Sequence, residues 1–208
     1  MIKRELVEPN STALLVIDIQ KAYCSKEEPL PKFLQFDTKP IDEMIPKLGR
    51  FIKESRKHNV PVVWTRMIED PKYAPPNLRA KMEADDWLVI SSPKKQSFDY
   101  YRIKPEKGEK EFIKRQYDAF TNRGLQRYLR EKDVSSLILT GVYTSRCVDS
   151  TMRSAFTRGY HCIVPEDLVA MPAQLTNEHQ AALSVCRTIF GYVVKSDEIV
   201  DAWGSMIK

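Results

Sequence analysis

Short, unbroken apolar runs separated by helix-patterned stretches constrain this chain more than any other feature. Thr12-Ala13-Leu14-Leu15-Val16-Ile17 closes on Asp18, Val60-Pro61-Val62-Val63-Trp64-Thr65 closes on Arg66, and Leu137-Ile138-Leu139-Thr140 leads into Gly141. A strand with one wet face alternates apolar and polar residues, whereas a run that is apolar throughout belongs to a parallel sheet with helices on both sides. Between the first two runs, Ile45, Leu48, Phe51 and Ile52 recur at helical spacing within residues 42–59. The pattern continues with a short strand at 111–114, a helix at 122–132, the strand at 134–140 and a helix at 150–160. A strand at 160–164 stops at Pro165. A helix follows from 176 to Gly191, with Thr176 as its N-cap and Ala181, Ala182, Val185, Cys186 and Ile189 on its buried face. A strand at 192–195 and a helix at 197–203 complete the chain. This order predicts a three-layer α/β/α fold with a mostly parallel six-stranded sheet, Rossmann-like, spanning residues 1–208 as one domain.

Residues 67–104 break the alternation. They hold Pro71, Pro75, Pro76 and Pro93 among aromatics and clustered charges, and an irregular stretch of this length is expected to act as a lid or a subunit contact. The 42% hydrophobic and 29% charged composition is that of a soluble globular protein. No apolar run reaches membrane-spanning length. Met1-Ile2-Lys3-Arg4-Glu5 lacks the apolar core of a signal peptide, so a cytoplasmic location is expected. The net charge of +5 comes from interspersed charges with no basic patch, which argues against a nucleic-acid partner and leaves an anionic small molecule open. Cys24, Cys147, Cys162 and Cys186 match no zinc or redox spacing. Cys162 and Cys186 fall on core-facing positions and read as structural.

In a doubly wound sheet, ligands bind beyond the carboxyl ends of the strands, where the strand order reverses. Asp18, Arg66, Lys114 and Cys147 all lie at or just past such ends. Cys147 sits where a buried strand turns into a helix, and unpaired N–H groups at a helix start favour a thiolate. Taken alone, the position fits a nucleophile or a buried structural thiol. A cysteine nucleophile needs a base, yet His58 ends a surface helix, His161 opens a strand and His179 lies in a helix's first turn. The proton-accepting role therefore falls to Asp18, and a lysine beside it would hold Asp18 and Cys147 ionised and offset oxyanion charge. Asp, Lys and Cys together suit acyl transfer.

Three segments carry a family resemblance. Thr12-Ala13-Leu14-Leu15-Val16-Ile17-Asp18-Ile19-Gln20 resembles the opening motif of the isochorismatase-like cysteine hydrolases. Gly108-Glu109 through Lys114-Arg115-Gln116-Tyr117-Asp118-Ala119-Phe120 is similar to that family's lysine segment. Leu139-Thr140-Gly141-Val142-Tyr143-Thr144-Ser145-Arg146-Cys147-Val148, with Ala155-Phe156 and Arg158-Gly159-Tyr160, is similar to its nucleophile segment. The resemblance implies Cys147 as nucleophile, Asp18 as base and Lys114 as electrostatic partner. It also implies a cis peptide between Val142 and Tyr143, with the Tyr143 and Cys147 N–H groups forming an oxyanion hole. The family usually has a small residue where Tyr143 stands, a departure that bears on pocket shape and not on the backbone donor.

The family's strand order, 3-2-1-4-5-6, would put Lys114 on an edge strand far from Cys147, so either the third strand is misnumbered or Lys114 reaches inward from a loop. The family's nicotinamidase branch binds zinc through an Asp-x-His pair after the second strand. Here that place reads Trp64-Thr65-Arg66-Met67, so no catalytic metal and no cofactor is expected. Isochorismatases proper often lack the cysteine, so Cys147 tilts the expectation toward C–N hydrolysis of a small amide, ureido or carbamoyl substrate through a thioester. A vinyl-ether hydrolase and an inactive paralogue serving as a scaffold remain the alternatives. Tyr23 and Arg66 are candidate substrate contacts, Arg66 as a bidentate partner for a carboxylate. A homo-oligomer, dimer or tetramer, is expected.

Overall fold

The structure is a computed structural model that describes residues 2–86 and 89–205. Its strands are β1 (Thr12–Ile17), β2 (Val62–Met67), β3 (Lys110–Lys114), β4 (Ser136–Val142), β5 (His161–Pro165), β6 (Val169–Ala170) and β7 (Gly191–Val194). Its α-helices are α1 (Lys21–Cys24), α2 (Pro29–Phe33), α3 (Lys39–Lys57), α4 (Pro76–Ala84), α5 (Arg123–Glu131), α6 (Asp149–Thr157), α7 (Thr176–Val185) and α8 (Ser196–Gly204). The strands form one seven-stranded sheet in the order β3-β2-β1-β4-β5-β7, with β6 added against the end of β4. Every pairing between named strands is parallel. Right-handed crossovers then fix the layers. The connection from β1 to β2 carries α3 on one face, where it meets α8. The connections that run the other way, from β3 to β4 and from β4 to β5, carry α5 and α6 on the opposite face, and both touch the turn at Ala119–Thr121.

The all-apolar runs are buried end to end: each residue of β1 and each residue of β4 is buried. Of their polar side chains, Thr140 Oγ1 donates to the Leu15 carbonyl at 3.0 Å, whereas the buried Thr12 and Ser136 hydroxyls find no partner among the described residues. Gly141 adopts a positive φ of 112°, and a Cβ there would lie 2.1 Å from the Ile17 carbonyl oxygen. Only glycine lets β4 and β1 approach this closely where the chain bends toward the nucleophile turn.

Several local readings differ from the structure. The helix expected from residue 42 begins at Lys39, because Pro40 suits a first turn where its missing N–H is no loss. Thr176 is the first residue of α7 and not its N-cap, since its hydroxyl donates back to the Ala173 carbonyl at 2.7 Å. The expected buried face of that helix is rotated: Leu183 and Cys186 are buried, Ala181 is exposed, and Ile189 is 61% exposed. A π-helical turn over Cys186–Phe190 follows, and the residue it adds carries Ile189 off the face that Cys186 occupies. The irregular region 67–104 contains α4, a 3₁₀ turn at Gln96–Phe98 and two isolated antiparallel bridges, Gln20 to Tyr100 and Glu69 to Ser91. Positions 87 and 88 of that region lie outside the described residues.

Candidate active site

β1 feeds leftward to β2 and β4 feeds rightward to β5, so the order reverses between β1 and β4. Their carboxyl ends open a crevice there. Asp18 follows β1 directly, with φ of 55° and its N–H bonded to the Thr65 carbonyl at 3.1 Å. Cys147 follows β4 inside a π-helical turn, Thr144–Val148, that leads into α6. The peptide between Val142 and Tyr143 is cis.

Lys114 ends β3, an edge strand, yet its Nζ lies 2.7 Å from Asp18 Oδ2 and 3.3 Å from Cys147 Sγ. Two strand spacings, about 9.6 Å, separate β3 from β1. The lysine stem covers most of that distance by passing over the end of β2, where Lys114 pairs in register with Met67. This removes the tension in the strand order: the third strand is numbered correctly, and its last side chain does the reaching. The Lys114 and Asp18 side chains are 0% and 1% exposed. Thr65 Oγ1 donates to Asp18 Oδ1 at 3.1 Å, and Lys114 also donates to the Gln116 carbonyl at 3.2 Å. Asp18, Lys114 and Cys147 are thus one contiguous buried cluster.

Gln20 stitches the surrounding segments together. Its side-chain oxygen accepts from Met67 N at 2.7 Å, and its amide donates to the Met67 carbonyl at 3.2 Å and to Ser91 Oγ at 2.9 Å. Behind the nucleophile turn, His179 Nδ1 lies 2.8 Å from Thr144 Oγ1, and Ser145 Oγ donates to Glu178 at 3.1 Å. His179 therefore comes nearer to the site than its place in the sequence suggested. It contacts Thr144 and not the thiol, and burial lowers its pKa, keeping it neutral.

Burial raises the Cys147 thiol well above its ordinary value, against the opposing pull of Lys114, and Asp18 raises it further. Lys114 is subject first to burial, which disfavours its charge, but Asp18 and Cys147 overcome this and raise its pKa. It stays cationic.

A cavity of about 460 Å³ opens over the thiol. Its walls are mostly apolar, with Leu30, Phe33 and Leu34 from α2 and its C-cap facing Ile90 and Val142. Asp18, Tyr23, Glu69, Tyr117, Tyr143 and Arg146 supply the polar groups near Cys147. Tyr23 lines this cavity, with its hydroxyl donating to Glu69 Oε2 at 3.0 Å. The Tyr143 ring meets Tyr23 edge-on, and its hydroxyl donates to the Tyr23 carbonyl at 3.1 Å.

Arg66 is not brought to this cavity. Successive residues of a strand face opposite ways, and Met67 takes the side facing Cys147, its sulfur 4.0 Å from Sγ. The Arg66 guanidinium instead makes a bidentate pair with Glu111 at 2.9 and 2.8 Å and lies over the Phe98 and Tyr100 rings. Arg146 and Glu69 line the cavity in its place, and the sequence reading named neither. Adjacency to Cys147 could have flagged Arg146; nothing in the local pattern singles out Glu69. Among the described residues, no group of three or more His, Cys, Asp or Glu is placed to hold a metal ion, and no helix is long and apolar enough to cross a membrane.

Comparison with known proteins places this geometry. Residues 12–198 match the Isochorismatase domain family. The chain is 33% identical over 207 residues to ureidoacrylate amidohydrolase RutB of Methylobacterium radiotolerans, covering 90% of this chain and 77% of that protein. The counterpart from Pseudomonas savastanoi pv. phaseolicola is 28% identical, with 92% and 83% covered. Among solved structures, a cysteine hydrolase from Pseudomonas syringae pv. phaseolicola superposes with a TM-score of 0.82 at 21% identity, covering 95% of this chain and 94% of that one. An isochorismatase-like hydrolase from Alkaliphilus metalliredigens gives 0.75 at 24% identity, with 93% and 98% covered. The likeness in structure shows a shared fold, and the match across nearly the whole sequence shows that the chain belongs to the isochorismatase-like hydrolase family.

Proposed function

We propose that the protein hydrolyses a non-peptide C–N bond of a small amide, ureido or carbamoyl substrate through a thioester on Cys147. The observation that carries this reading is the buried cluster in which one lysine ammonium touches both the Asp18 carboxylate and the Cys147 sulfur. A neutral thiol cannot attack until its proton leaves. Asp18 takes that proton as Sγ bonds to the carbonyl carbon, and later delivers it to the departing amine. Lys114 keeps its charge throughout, holding Asp18 ionised and offsetting the negative charge that builds on attack. The N–H groups of Tyr143 and Cys147, two residues that line the cavity, serve as the oxyanion donors. Water then cleaves the thioester, with Asp18 as base. Each step balances with water as the only co-reactant.

Arg146 gives the substrate a polarity. It lines the cavity, makes no ion pair among the described residues, and its guanidinium lies over the Tyr143 ring at 5.5 Å. A partly buried guanidinium without a carboxylate is the natural partner of a carboxylate-bearing substrate. The similarity to ureidoacrylate amidohydrolases, whose name describes such an acid, supports the same class. Incubation with a panel of ureido and carbamoyl acids, aromatic amides and isochorismate tests the reading. Ammonia release from a ureido or carbamoyl acid, abolished in Cys147→Ala, is expected. Pyruvate release from isochorismate without ammonia from any amide would replace the reading with vinyl-ether hydrolysis.

A further inference from the structure

Among the ionisable acids and bases on the cavity wall, Glu69 is the carboxylate that the proposed reaction leaves unused. It follows β2 and is held rigidly: its N–H donates to the Ser91 carbonyl at 2.8 Å, and its own carbonyl accepts from Ile90 N at 3.0 Å and Ser91 N at 3.1 Å. Glu69 is 4% exposed; among the described residues no cation lies within ion-pair distance of it, and Tyr23 alone donates a hydrogen bond to its side chain, at Oε2. A buried carboxylate with so few donors is costly unless something else supplies N–H groups. In the apolar cavity that something is the bound substrate. Burial raises the Glu69 pKa and Asp18 adds to the rise, while the Tyr23 hydrogen bond, Lys114 and Arg146 pull it down.

We infer that Glu69 accepts an N–H from the terminal amino group of a ureido or carbamoyl substrate and so selects H₂N–CO– over simple acyl groups. The inference rests on the C–N hydrolysis proposed above and extends it to the group retained on the enzyme. Arg146 takes the acid end, which departs with the amine, so the other end of the substrate meets Glu69. When Sγ bonds to the ureido carbon and the C–N bond to the acid-bearing amine breaks, the amine leaves with the proton from Asp18 and a carbamoyl group stays on sulfur. Its NH₂ remains through both half-reactions. Water then adds to the carbamoyl carbon, the C–S bond breaks, and carbamic acid leaves as the thiol regains its proton. A residue reading that NH₂ stabilises both half-reactions, whereas an acetyl group offers Glu69 only a methyl.

The test pairs 3-ureidopropionate and 3-ureidoacrylate with their acetamido counterparts, in which CH₃ replaces the terminal NH₂. Wild-type enzyme is expected to prefer the ureido member in kcat/KM by about 10- to 100-fold, the effect of one hydrogen bond to a charged acceptor. Glu69→Ala should reduce that preference to about threefold or less, and Glu69→Gln, which keeps an acceptor oxygen, should retain part of it. Complete alkylation of Cys147 and a wild-type urea midpoint in both variants show that the fold and the site are intact. If Glu69→Ala lowers activity on both members equally, Glu69 only braces Tyr23 and the inference is overturned. Wild-type turnover of amides with no ureido preference also overturns it, while leaving the C–N hydrolase reading in place. A wild-type enzyme that turns over no amide or ureido compound removes both.

Discussion

Replacing Lys114 by methionine keeps the stem that crosses β2 and removes only the charge. In the native protein Lys114 is buried against Asp18 at 2.7 Å, with Thr65 the other donor to that carboxylate. Loss of the ammonium leaves Asp18 buried with one hydroxyl donor. Breaking a buried ion pair on one side costs about 3–5 kcal/mol, which in a chain of this size lowers Tm by roughly 6–20 °C. The double variant Asp18→Asn/Lys114→Met removes both charges. Because a buried pair often contributes little beyond an uncharged replacement, the double variant should be at least as stable as Lys114→Met alone. Urea denaturation of the wild type, both singles and the double closes the cycle, with a coupling of about 2–3 kcal/mol expected. Additive losses would refute the buried pair as one electrostatic unit, and with it the claim that Lys114 holds Asp18 charged.

The same residues set the kinetics: Asp18→Asn should lower kcat by about a hundredfold or more with little change in substrate binding, and the double variant should be little worse than the worse single; near-normal turnover in Asp18→Asn would remove it as the base. Since the folded Cys147 thiol titrates above its ordinary value, its alkylation by iodoacetamide in the free enzyme should keep rising with pH through 9 and beyond, and a plateau below pH 8 would show a pre-formed thiolate. Burial pushes Cys162 and Cys186 up to about 12 as well, and Cys147 alone of the four thiols lines the main cavity, so it should label first. For stability the sign follows from the same shifts: thiols that bind protons more tightly when folded contribute below the unfolded value of about 8.5 and lose that contribution as pH rises above it, so urea midpoints should fall on the alkaline side. Chelator treatment should leave turnover unchanged, and activity that disappears with removal of stoichiometric zinc would contradict the metal-free reading.

The sheet was legible because burial on both faces writes itself into a sequence as unbroken apolar runs, and the charged residue ending each run marks the edge where ligands bind. Asp18, Lys114 and Cys147 could be found that way. The reach of Lys114 across β2 could not, because it depends on side-chain length acting over the end of a neighbouring strand. Arg66 misled for a related reason: strand alternation points Met67 and not Arg66 toward the thiol, and which of two successive residues faces inward is settled by the sheet's partners. The burial that raises the Cys147 pKa was not legible, because a helix start is a local feature, whereas desolvation depends on everything packed around it. Glu69 carries no periodic signal at all; it reaches the cavity because a loop from 67–104 folds back through the bridge to Ser91. The rotated face of α7 went unseen because a π-helical turn leaves no clear mark in composition.

Covalent capture at Cys147 tests the central claim most directly. Enzyme mixed with a ureido acid from the turnover panel, quenched in acid on the millisecond scale and digested, should carry a carbamoyl group on the Cys147 peptide and on no other cysteine peptide. The adduct should form before the first turnover is complete and vanish as substrate is consumed. Ammonia released at the full rate with an unmodified Cys147 at every quench time, and sustained turnover in Cys147→Ala, would contradict a cysteine nucleophile.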